Sequence, residues 1–299
     1  MRKVTIVIVN YNGWKDTHDC LKSLGDIPDI VVVDNNSRDD SVAKLKNWIK
    51  ENDKSNVKLV ELTNNKGFSG GNNVGIRLAL KNKSDYVLLL NNDTVVDQKL
   101  VTKLVNRAET DSKIGIVGSK IYFSKGYEYH KSRYKQSELG KVIWFAGGKI
   151  DWKNMYAFHR GVDEVDMGQY DISDDTDFIT GCCMLIKREV VEKIGYLDDN
   201  LYLYLEDLDY CLRARQAGYK LIYESTANLW HKNASSSDKP GSRLHRYYLT
   251  RNRLIVGMRY APIRTRVALL KESLKFFQKG GVLRKAVRDY YLYNWGEEV

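Results

Sequence analysis

Short runs of Val, Ile and Leu alternate with helical patterns over the first 120 residues. The runs are continuous rather than alternating, as is typical of strands covered on both faces of a sheet. They lie at residues 4–9, 30–33, 57–62, 86–90 and 114–117. The intervening segments are long enough for crossover helices, near 15–24, 40–51, 70–81 and 98–109. The pattern predicts βαβ units in a mainly parallel sheet, and so the α/β fold class.

The pattern loosens between residues 120 and 200, where turn residues and aromatic side chains mix. The elements predicted after this section are a strand at 178–186, a helix from Glu206 and a strand near 219–223, followed by the segment 229–231. Pro240 and Gly241 then mark a boundary. We therefore predict one large domain over residues 1–239 and a helical extension over 240–299.

The C-terminal extension is strongly basic. It holds thirteen Lys and Arg against four Asp and Glu, so it carries +9 of the formal net charge of +10. Two apolar stripes at helical spacing run through it, formed by Val267, Leu270, Leu274 and Phe277 and by Leu283, Val287 and Tyr290. A basic tail on a nearly neutral body indicates a docking surface for an anionic partner. We expect no nucleic acid partner, because the charge does not cover a recognition domain.

Composition indicates a globular chain, with 43% hydrophobic and 29% charged residues. The four cysteines show no metal-ligand or redox spacing, which favours a reducing compartment. The N-terminus lacks a signal-peptide core, and no apolar run approaches the roughly 20 residues that span a bilayer. We therefore expect a cytoplasmic protein.

Polar clusters follow three of the predicted strands. They are NYNG at residues 10–13, DNNS at 34–37 and NNDT at 91–94. Turn chemistry explains one or two such clusters, since Asn and Asp commonly close strands. Ligands of parallel sheets gather beyond the carboxyl ends of the strands. Three clusters at this edge therefore predict a polar ligand site.

An acidic cluster opens the helix predicted from Glu206. Glu206, Asp207 and Asp209 lie at the positive end of the helix dipole, which favours ionised carboxylates. We expect a member of this cluster to take a proton or hold a cation at neutral pH. The alternative is an acidic first turn that only stabilises its helix.

Taken in order, the segments of the chain resemble a family 2 glycosyltransferase with the GT-A fold, of the rhamnosyltransferase-like kind. The segments that carry the resemblance are VTIVIVNYNG, VVVDNNSRDDS, NNKGFSGGNNVGI, VLLLNNDTVV, FITGCCMLIKREVVEKIGYLDDNLYLYLEDLDYCLRARQAGYKL, NLWHKNASSS and YYLTRNRL. The resemblance implies a nucleotide-sugar-binding half at residues 1–120 and an acceptor half at 121–239. Residues 240–299 form the basic helical extension of this GT-A domain.

The resemblance also implies a donor site. Asp34 corresponds to the family aspartate that recognises a pyrimidine base, and its alternative role is a cap at the end of a strand. The other residues implied in donor nucleotide binding are Asn10, Tyr11, Asn12, Gly67, Asn73, Asn91 and Asn92. Gly67 and Asn73 belong to a glycine-rich segment that would let backbone approach the nucleotide before starting a helix.

A divalent cation, Mg²⁺ or Mn²⁺, is implied as cofactor. Asn91, Asn92 and Asp93 stand in place of the family's metal-binding Asp-Xaa-Asp, with Asn91 replacing the first carboxylate. Mg²⁺ commonly takes only one or two protein carboxylates, so Asp93 suffices for a ligand. His231, before a serine-rich loop, would add a nitrogen ligand, which suits Mn²⁺ better than Mg²⁺, or would contact the diphosphate. The alternative is a structural histidine beside Trp230.

Asp207 is implied as the catalytic base, with Glu206 holding acceptor or helix geometry. Asp209 would position Arg213 or cap the helix. Arg251 and Arg253 would contact the diphosphate or, as the alternative we favour, form a solvated basic face.

The function implied is inverting transfer of a sugar from a UDP- or dTDP-sugar, dTDP-rhamnose among them, to a hydroxyl. The acceptor would be a cell-surface glycan or a lipid-linked oligosaccharide. Peripheral contact with an anionic membrane at the inner face of the cell and a homodimer contact are further expectations. Two alternatives stay open: a catalytically inactive nucleotide-sugar-binding protein and a nucleotidyltransferase.

Overall fold

The computed structural model describes residues 2–25, 29–232 and 241–298. Four parallel strands separated by helices form its first half, as the apolar runs predict. The elements of this half are β1 (Val4–Asn10), α1 (Trp14–Leu24), β2 (Asp29–Asp34), α2 (Ser41–Glu51), β3 (Val57–Glu61), α3 (Gly67–Lys81), β4 (Tyr86–Leu90), β5 (Thr94–Val96) and α4 (Leu100–Glu109).

The second half adds longer strands, small hairpins and the C-terminal helices. Its elements are β6 (Ile114–Phe123), a short 3-10 helix (Lys131–Arg133), β7 (Ile143–Phe145), β8 (Gly148–Asp151), β9 (Tyr156–His159), β10 (Asp174–Asp175), β11 (Cys183–Lys187), α5 (Arg188–Ile194), α6 (Glu206–Gln216), β12 (Lys220–His231), α7 (Arg243–Tyr260), α8 (Ile263–Lys279) and α9 (Gly281–Tyr291).

In the described residues the main sheet runs in the order β10-β12-β6-β11-β4-β1-β2-β3, and β5 and β7 attach to β12 and β6. Strands β3, β2, β1 and β4 are parallel. Strand β11 is antiparallel to both β4 and β6, and β12 is again parallel to β6. The predicted α/β class with a mostly parallel sheet is confirmed.

Two strand predictions in the second half are wrong in extent. The run at 178–186 forms a strand only from Cys183, because earlier N–H groups bond to side chains: Gly181 to Asp207 and Ile179 to Cys211. The strand predicted near 219–223 continues to His231 as β12, and its pairing with β6 shifts between Glu224 and Asn228. A bulge of this kind lets a strand continue past irregular residues.

The helix predicted at 70–81 begins earlier, at Gly67, and its glycines serve packing against protein. Gly67 has φ of +68°, and a Cβ there would stand 2.4 Å from the carbonyl oxygen of Tyr202. A Cβ on Gly75 would stand 2.1 Å from the side chain of Val7. The glycine-rich segment therefore lets α3 lie close on β1 and on the loop at Tyr202.

The last part of the chain, residues 241–298, folds into three helices. The two predicted apolar stripes differ in how far they are buried. Val287 of α9 is buried, as its stripe predicts. On α8, Val267, Leu274 and Phe277 are 47%, 63% and 45% exposed, and the buried positions are Thr265, Leu269 and Ser273. Among all described helices, none is both long enough and apolar enough to cross a membrane.

Candidate active site

A cavity of about 770 Å³ lies beyond the carboxyl ends of β1, β2 and β4, where the sequence predicts a polar ligand site. The predicted site residues that line it are Tyr11, Gly67, Asn91, Asn92, Asp93, Glu206, Asp207 and His231. Residues far apart in sequence thus share one cavity, which holds both members of the predicted catalytic pair and both predicted metal ligands.

The remaining predicted donor residues lie outside this cavity lining. Asp34 is buried at 1% exposure, and its carboxylate accepts hydrogen bonds from Asn10 Nδ2 at 2.7 Å and from the backbone N–H and hydroxyl of Ser37 at 2.9 and 2.7 Å. Asn12 is exposed, and its Oδ1 accepts from the N–H of Arg38. These contacts order the turns behind the cavity wall, and the neighbouring Asn35 is the residue that lines it.

Asn73 is also occupied by protein groups. Its Nδ2 donates to the carbonyl of Leu197 at 2.9 Å and to Asp199 at 2.6 Å, and its Oδ1 accepts from the N–H of Leu197 at 3.0 Å. This buried amide therefore ties α3 to the loop that leads towards α6.

The register of β11 brings Asp207 to the cavity. Cys183 pairs with Leu90 at the end of β4, so the preceding turn at 180–182 lies beside Asn91. Within that turn, the N–H of Gly181 donates to Oδ2 of Asp207 at 2.9 Å. The N–H of Leu208 donates to Oδ1 at 2.8 Å. Both carboxylate oxygens are therefore held in a fixed orientation at the cavity wall.

Removal from bulk water shifts the pKa values of the acidic pair, Glu206 and Asp207. It raises the pKa of the Asp207 carboxyl above its ordinary value, against the opposing effect of its backbone hydrogen bonds. Burial, together with the neighbouring Asp207 charge, raises the pKa of Glu206 well above its ordinary value. Oε2 of Glu206 is buried without a hydrogen bond partner. Desolvation and the backbone N–H groups at the start of the helix therefore act in opposite directions here, and desolvation has the larger effect on both pKa values.

Asp209 lies outside the cavity lining and is fully buried. It accepts a hydrogen bond from Arg213 at 2.8 Å, and also from Arg259 at 2.9 Å and Tyr260 at 2.8 Å. Asp209 therefore positions Arg213, as predicted, and in addition joins α6 to the end of α7.

The loop before α6 has an unusual backbone. Tyr202, Tyr204 and Leu205 have φ of 63°, 69° and 68°, in the left-handed region that bulky side chains rarely adopt. Asn252 of α7 donates to the carbonyls of Leu201, Leu203 and Tyr204 at 2.8 to 2.9 Å. The strained backbone that leads into Glu206 is thus held by a side chain of the C-terminal helices.

The neighbouring arginines of α7 have structural partners too. Arg251 is fully buried and donates to the carbonyls of Asn200, Leu201 and Gly296 at 2.7 to 3.1 Å. Arg253 pairs with Glu272 at 2.6 Å. The interpretation of Arg251 and Arg253 as a solvated basic face is wrong, because backbone carbonyls and a carboxylate bind them inside the fold.

Strand pairing brings the two predicted metal ligands together. His231, at the end of β12, pairs with Thr94 of β5, which directly follows Asp93. Nε2 of His231 lies 3.0 Å from Oδ1 of Asp93. The histidine holds the pKa of this carboxyl below its ordinary value, although burial opposes the shift. The serine-rich loop that follows His231 lies outside the described residues.

Asp93 and His231 have the chemistry of a partial cation site. Both side chains are about 5% exposed, and Oδ1 of Asp93 and Nδ1 of His231 are buried without a hydrogen bond to protein. The 3.0 Å contact between them does not meet hydrogen-bond geometry. Within the described ranges, no cluster of three or more His, Cys, Asp or Glu is arranged to hold a metal. Two protein ligands fit a cation whose other ligands come from water and diphosphate.

Sequence reasoning missed an aromatic wall of the cavity formed by residues 144–178. Trp144, His159 and Phe178 line it, and the Trp144 ring meets the rings of His159 and His231 edge-on at 4.4 and 4.6 Å. Burial lowers the pKa of His159 to about 4, so this imidazole is neutral at pH 7. The many aromatic residues after position 120 were the available signal for this wall. The strands there are short and irregular, so the sequence does not show which aromatic side chains face the cavity.

The sequence profile described as glycosyl transferase family 2 matches residues 5–195, more than half of the chain. The chain belongs to glycosyl transferase family 2. It is 25% identical over 255 residues to the low-salt glycan biosynthesis hexosyltransferase Agl10 of Haloferax volcanii, covering 85% of this chain and 75% of that protein. It is 26% identical over 231 residues to a poly-beta-1,6-N-acetyl-D-glucosamine synthase of Staphylococcus aureus, covering 76% of this chain but only 49% of the synthase.

Solved structures share the fold of this family 2 chain. A mannosyltransferase from Pyrobaculum calidifontis, in complex with GDP-Man and Mn²⁺, superposes with a TM-score of 0.58 at 17% identity, over 100% of this chain and 77% of that one. GalNAc-T7 with UDP, GalNAc and Mn²⁺ gives 0.66 at 18% identity, over 99% and 55%. At these identities the likeness shows the fold, which is that of GT-A glycosyltransferases.

Proposed function

We propose that this family 2 glycosyltransferase moves a sugar, with inversion, from a UDP- or dTDP-sugar to a hydroxyl of a cell-surface glycan or a lipid-linked oligosaccharide. dTDP-rhamnose is among the donors proposed. The observation that carries the proposal is the oriented Asp207 carboxylate on the wall of the cavity that Asn91 and Asp93 also line. The hexosyltransferase and synthase relatives support sugar transfer as the reaction class.

Asp207 acts as the general base in this proposal. Direct displacement needs a carboxylate that removes the acceptor hydroxyl proton while the oxygen attacks the anomeric carbon opposite the leaving diphosphate. Its two backbone N–H bonds fix the carboxylate, and its raised pKa makes it a stronger base than an ordinary aspartate. Glu206, which lines the cavity beside Asp207, holds the acceptor or the helix geometry in this proposal.

Asp93 and His231 would hold a divalent cation, Mg²⁺ or Mn²⁺. When bound, such a cation supplies electrostatic stabilisation of the charge that develops on the leaving diphosphate. The buried Nδ1 of His231, which has no hydrogen bond to protein, and the Asp93 carboxylate beside this histidine support the assignment. A nitrogen ligand favours Mn²⁺ of the two.

The donor nucleotide is proposed to bind at the ends of β1 and β2. Tyr11, Gly67, Asn91 and Asn92 contact it from the cavity wall. Four further residues lie behind that wall and order the turns that form it through hydrogen bonds. They are Asn10, Asn12, Asp34 and Asn73. Residues 1–120 then form the donor half, 121–239 the acceptor half and 240–299 the basic extension. We also propose a location at the cytoplasmic face of an anionic membrane.

A ligand panel tests the function. Thermal unfolding is measured with UDP-, dTDP- and GDP-sugars, with and without Mn²⁺ or Mg²⁺, because a bound donor stabilises the fold by mass action. The expected result is a cation-dependent rise in Tm with a pyrimidine donor. Product analysis with acceptor follows: release of nucleoside diphosphate supports sugar transfer, and donor binding without turnover indicates an inactive binding protein. A separate assay with a nucleoside triphosphate and a sugar 1-phosphate covers the nucleotidyltransferase alternative, which would release diphosphate.

A further inference from the structure

Helix α8 carries an apolar stripe that the protein leaves uncovered. Ile263, Val267, Leu274 and Phe277 are 78%, 47%, 63% and 45% exposed, and Leu270 is partly exposed. The five residues are spaced by four, three, four and three positions. At about 100° per residue they fall within a sector about 80° wide on one face of the helix. This stripe is therefore continuous along the whole helix.

The stripe is distinct from the face that α8 turns to the protein. The buried positions Thr265, Leu269 and Ser273 centre about 120° around the helix from the stripe. Their contacts are internal: the Thr265 hydroxyl donates to the carbonyl of Trp152 at 2.8 Å, and the Ser273 hydroxyl contacts the Tyr291 hydroxyl at 2.9 Å. The exposed stripe is therefore additional to the core face, and Arg284 of α9 lies 5.5 Å from the ring centre of Phe277 at its end.

Basic residues border the stripe on the side away from the protein. Arg264, Lys271, Lys275 and Lys279 are exposed and centre about 110° from it. The single acidic residue of the helix, Glu272, is neutralised by Arg253 at 2.6 Å. Seen from solvent, α8 thus presents an apolar band next to an unbroken cationic band.

We propose that this face of α8 docks on an anionic lipid bilayer, lying in the plane of its surface. Helices with this arrangement insert the apolar band at the headgroup boundary, and each nearby Lys or Arg is attracted by the negative leaflet. A second copy of the chain fits the face less well in antiparallel two-fold pairing of α8 with α8, because this arrangement brings the cationic bands together. The docking surface does not depend on the proposed reaction, since binding is measured without turnover.

Co-sedimentation of the full-length chain with vesicles tests the surface. The probes are vesicles of phosphatidylcholine alone and of phosphatidylcholine with phosphatidylserine, at low and high salt. The expected result is binding to the anionic vesicles that weakens as salt rises. The triple variant Val267→Ser, Leu274→Ser, Phe277→Ser should lower the partition coefficient about tenfold or more. The double variant Lys271→Gln, Lys275→Gln should weaken binding mainly at low salt.

The matched control removes exposed apolar side chains elsewhere. Met167 and Ile172 are 85% and 80% exposed in the segment before β10, so Met167→Ser, Ile172→Ser should leave binding unchanged. Circular dichroism verifies that every variant is folded. Absence of anionic-vesicle binding by the parent chain at low salt overturns the proposal. It is overturned equally if the stripe variant only converts a dimer to a monomer in analytical ultracentrifugation and still binds vesicles.

Discussion

The sheet of the donor half and the C-terminal helices differ in how their sequences relate to what they bury. In β1, β2 and β4 a continuous apolar run means burial on both faces, and the structure buries these strands almost completely. In α8 an equally regular stripe is exposed, while polar Thr265 and Ser273 face the protein. Periodicity thus predicts that a helix has an apolar face, but it does not identify what covers that face.

Charged residues show the same difference. Asp93 follows a buried strand at the ligand edge, as its position in the sequence predicts. Arg251, in a basic helix, is fully buried because three backbone carbonyls outside regular elements require donors. The positions of site residues on the sheet can therefore be predicted from the sequence. The roles of residues supplied by the helices depend on which loop each helix contacts.

Asp207 lies where these two regions meet, and its substitution should have the largest effect. Asp207→Asn keeps the shape of the side chain but removes the basicity, so turnover should fall about 100-fold or more with donor affinity nearly unchanged. Single-turnover rates and calorimetry with donor measure the two quantities. The control Asp53→Asn alters an exposed turn with φ of 47°, which Asn tolerates. Parent-like turnover by folded, donor-saturated Asp207→Asn would show that another group is the base.

The pH profile sharpens this prediction. A base must be ionised, so kcat/KM should fall as pH drops through the pKa of Asp207. Because desolvation raises that pKa, the fall should begin at higher pH than for an ordinary aspartate. The groups closest to the carboxylate, Glu206 and Cys182, also have pKa values raised by burial. The acidic limb should be lost in Asp207→Asn, and an identical limb in the variant would assign it to another group.

On the sheet side, Asp93→Ala should weaken cation-dependent donor binding about tenfold or more, since it removes the one carboxylate proposed as a ligand. Calorimetric titration of UDP and dTDP with and without Mn²⁺ measures the change. Binding without cation should be affected much less. If donor affinity depends on Mn²⁺ equally in the parent and the variant, Asp93 is not a cation ligand.

On the helix side, Asn252→Ala should lower turnover about tenfold, because the carbonyls of Leu203 and Tyr204 lose this donor and the backbone before Glu206 relaxes. The donor KM should change less than kcat. Arg253→Ala is the matched control, because Arg253 follows Asn252 directly in α7. This variant breaks the ion pair with Glu272 of α8 and leaves the loop before Glu206 untouched. If both variants lose stability and turnover in parallel, Asn252 has only a general structural role.

The smallest effect is expected for Asp34→Ala. The variant loses the hydrogen bonds to Asn10 and Ser37 that order the turns behind the nucleotide end of the cavity. The ratio of the affinities for pyrimidine and purine nucleotides should fall a few-fold, about 1 kcal/mol, and the dependence of binding on the cation should stay unchanged. Calorimetry with UDP, dTDP and GDP reports the preference, and an unaltered preference would separate Asp34 from base recognition.

The structure corrects the sequence interpretation mainly where a residue's partner comes from another region. The solvated basic face expected of Arg251 and Arg253 is an example, because loop carbonyls and Glu272 bind these side chains. The strand predicted at 178–186 is another: it begins only at Cys183, because the N–H of Gly181 donates to Asp207. Neither competing effect is visible from neighbours in sequence.

The sequence by itself determined the alternating elements of the first half, the polar ends of its strands and the family. These follow from chain-local physics, since apolar runs must be buried and polar turns must close them. Only the tertiary structure decided that Gly181 orients Asp207, that Asn252 holds a left-handed loop and that the α8 stripe stays exposed. Each of these depends on a register or packing between distant segments, because a backbone N–H, a carbonyl or an apolar face acquires its partner only when the chain is folded.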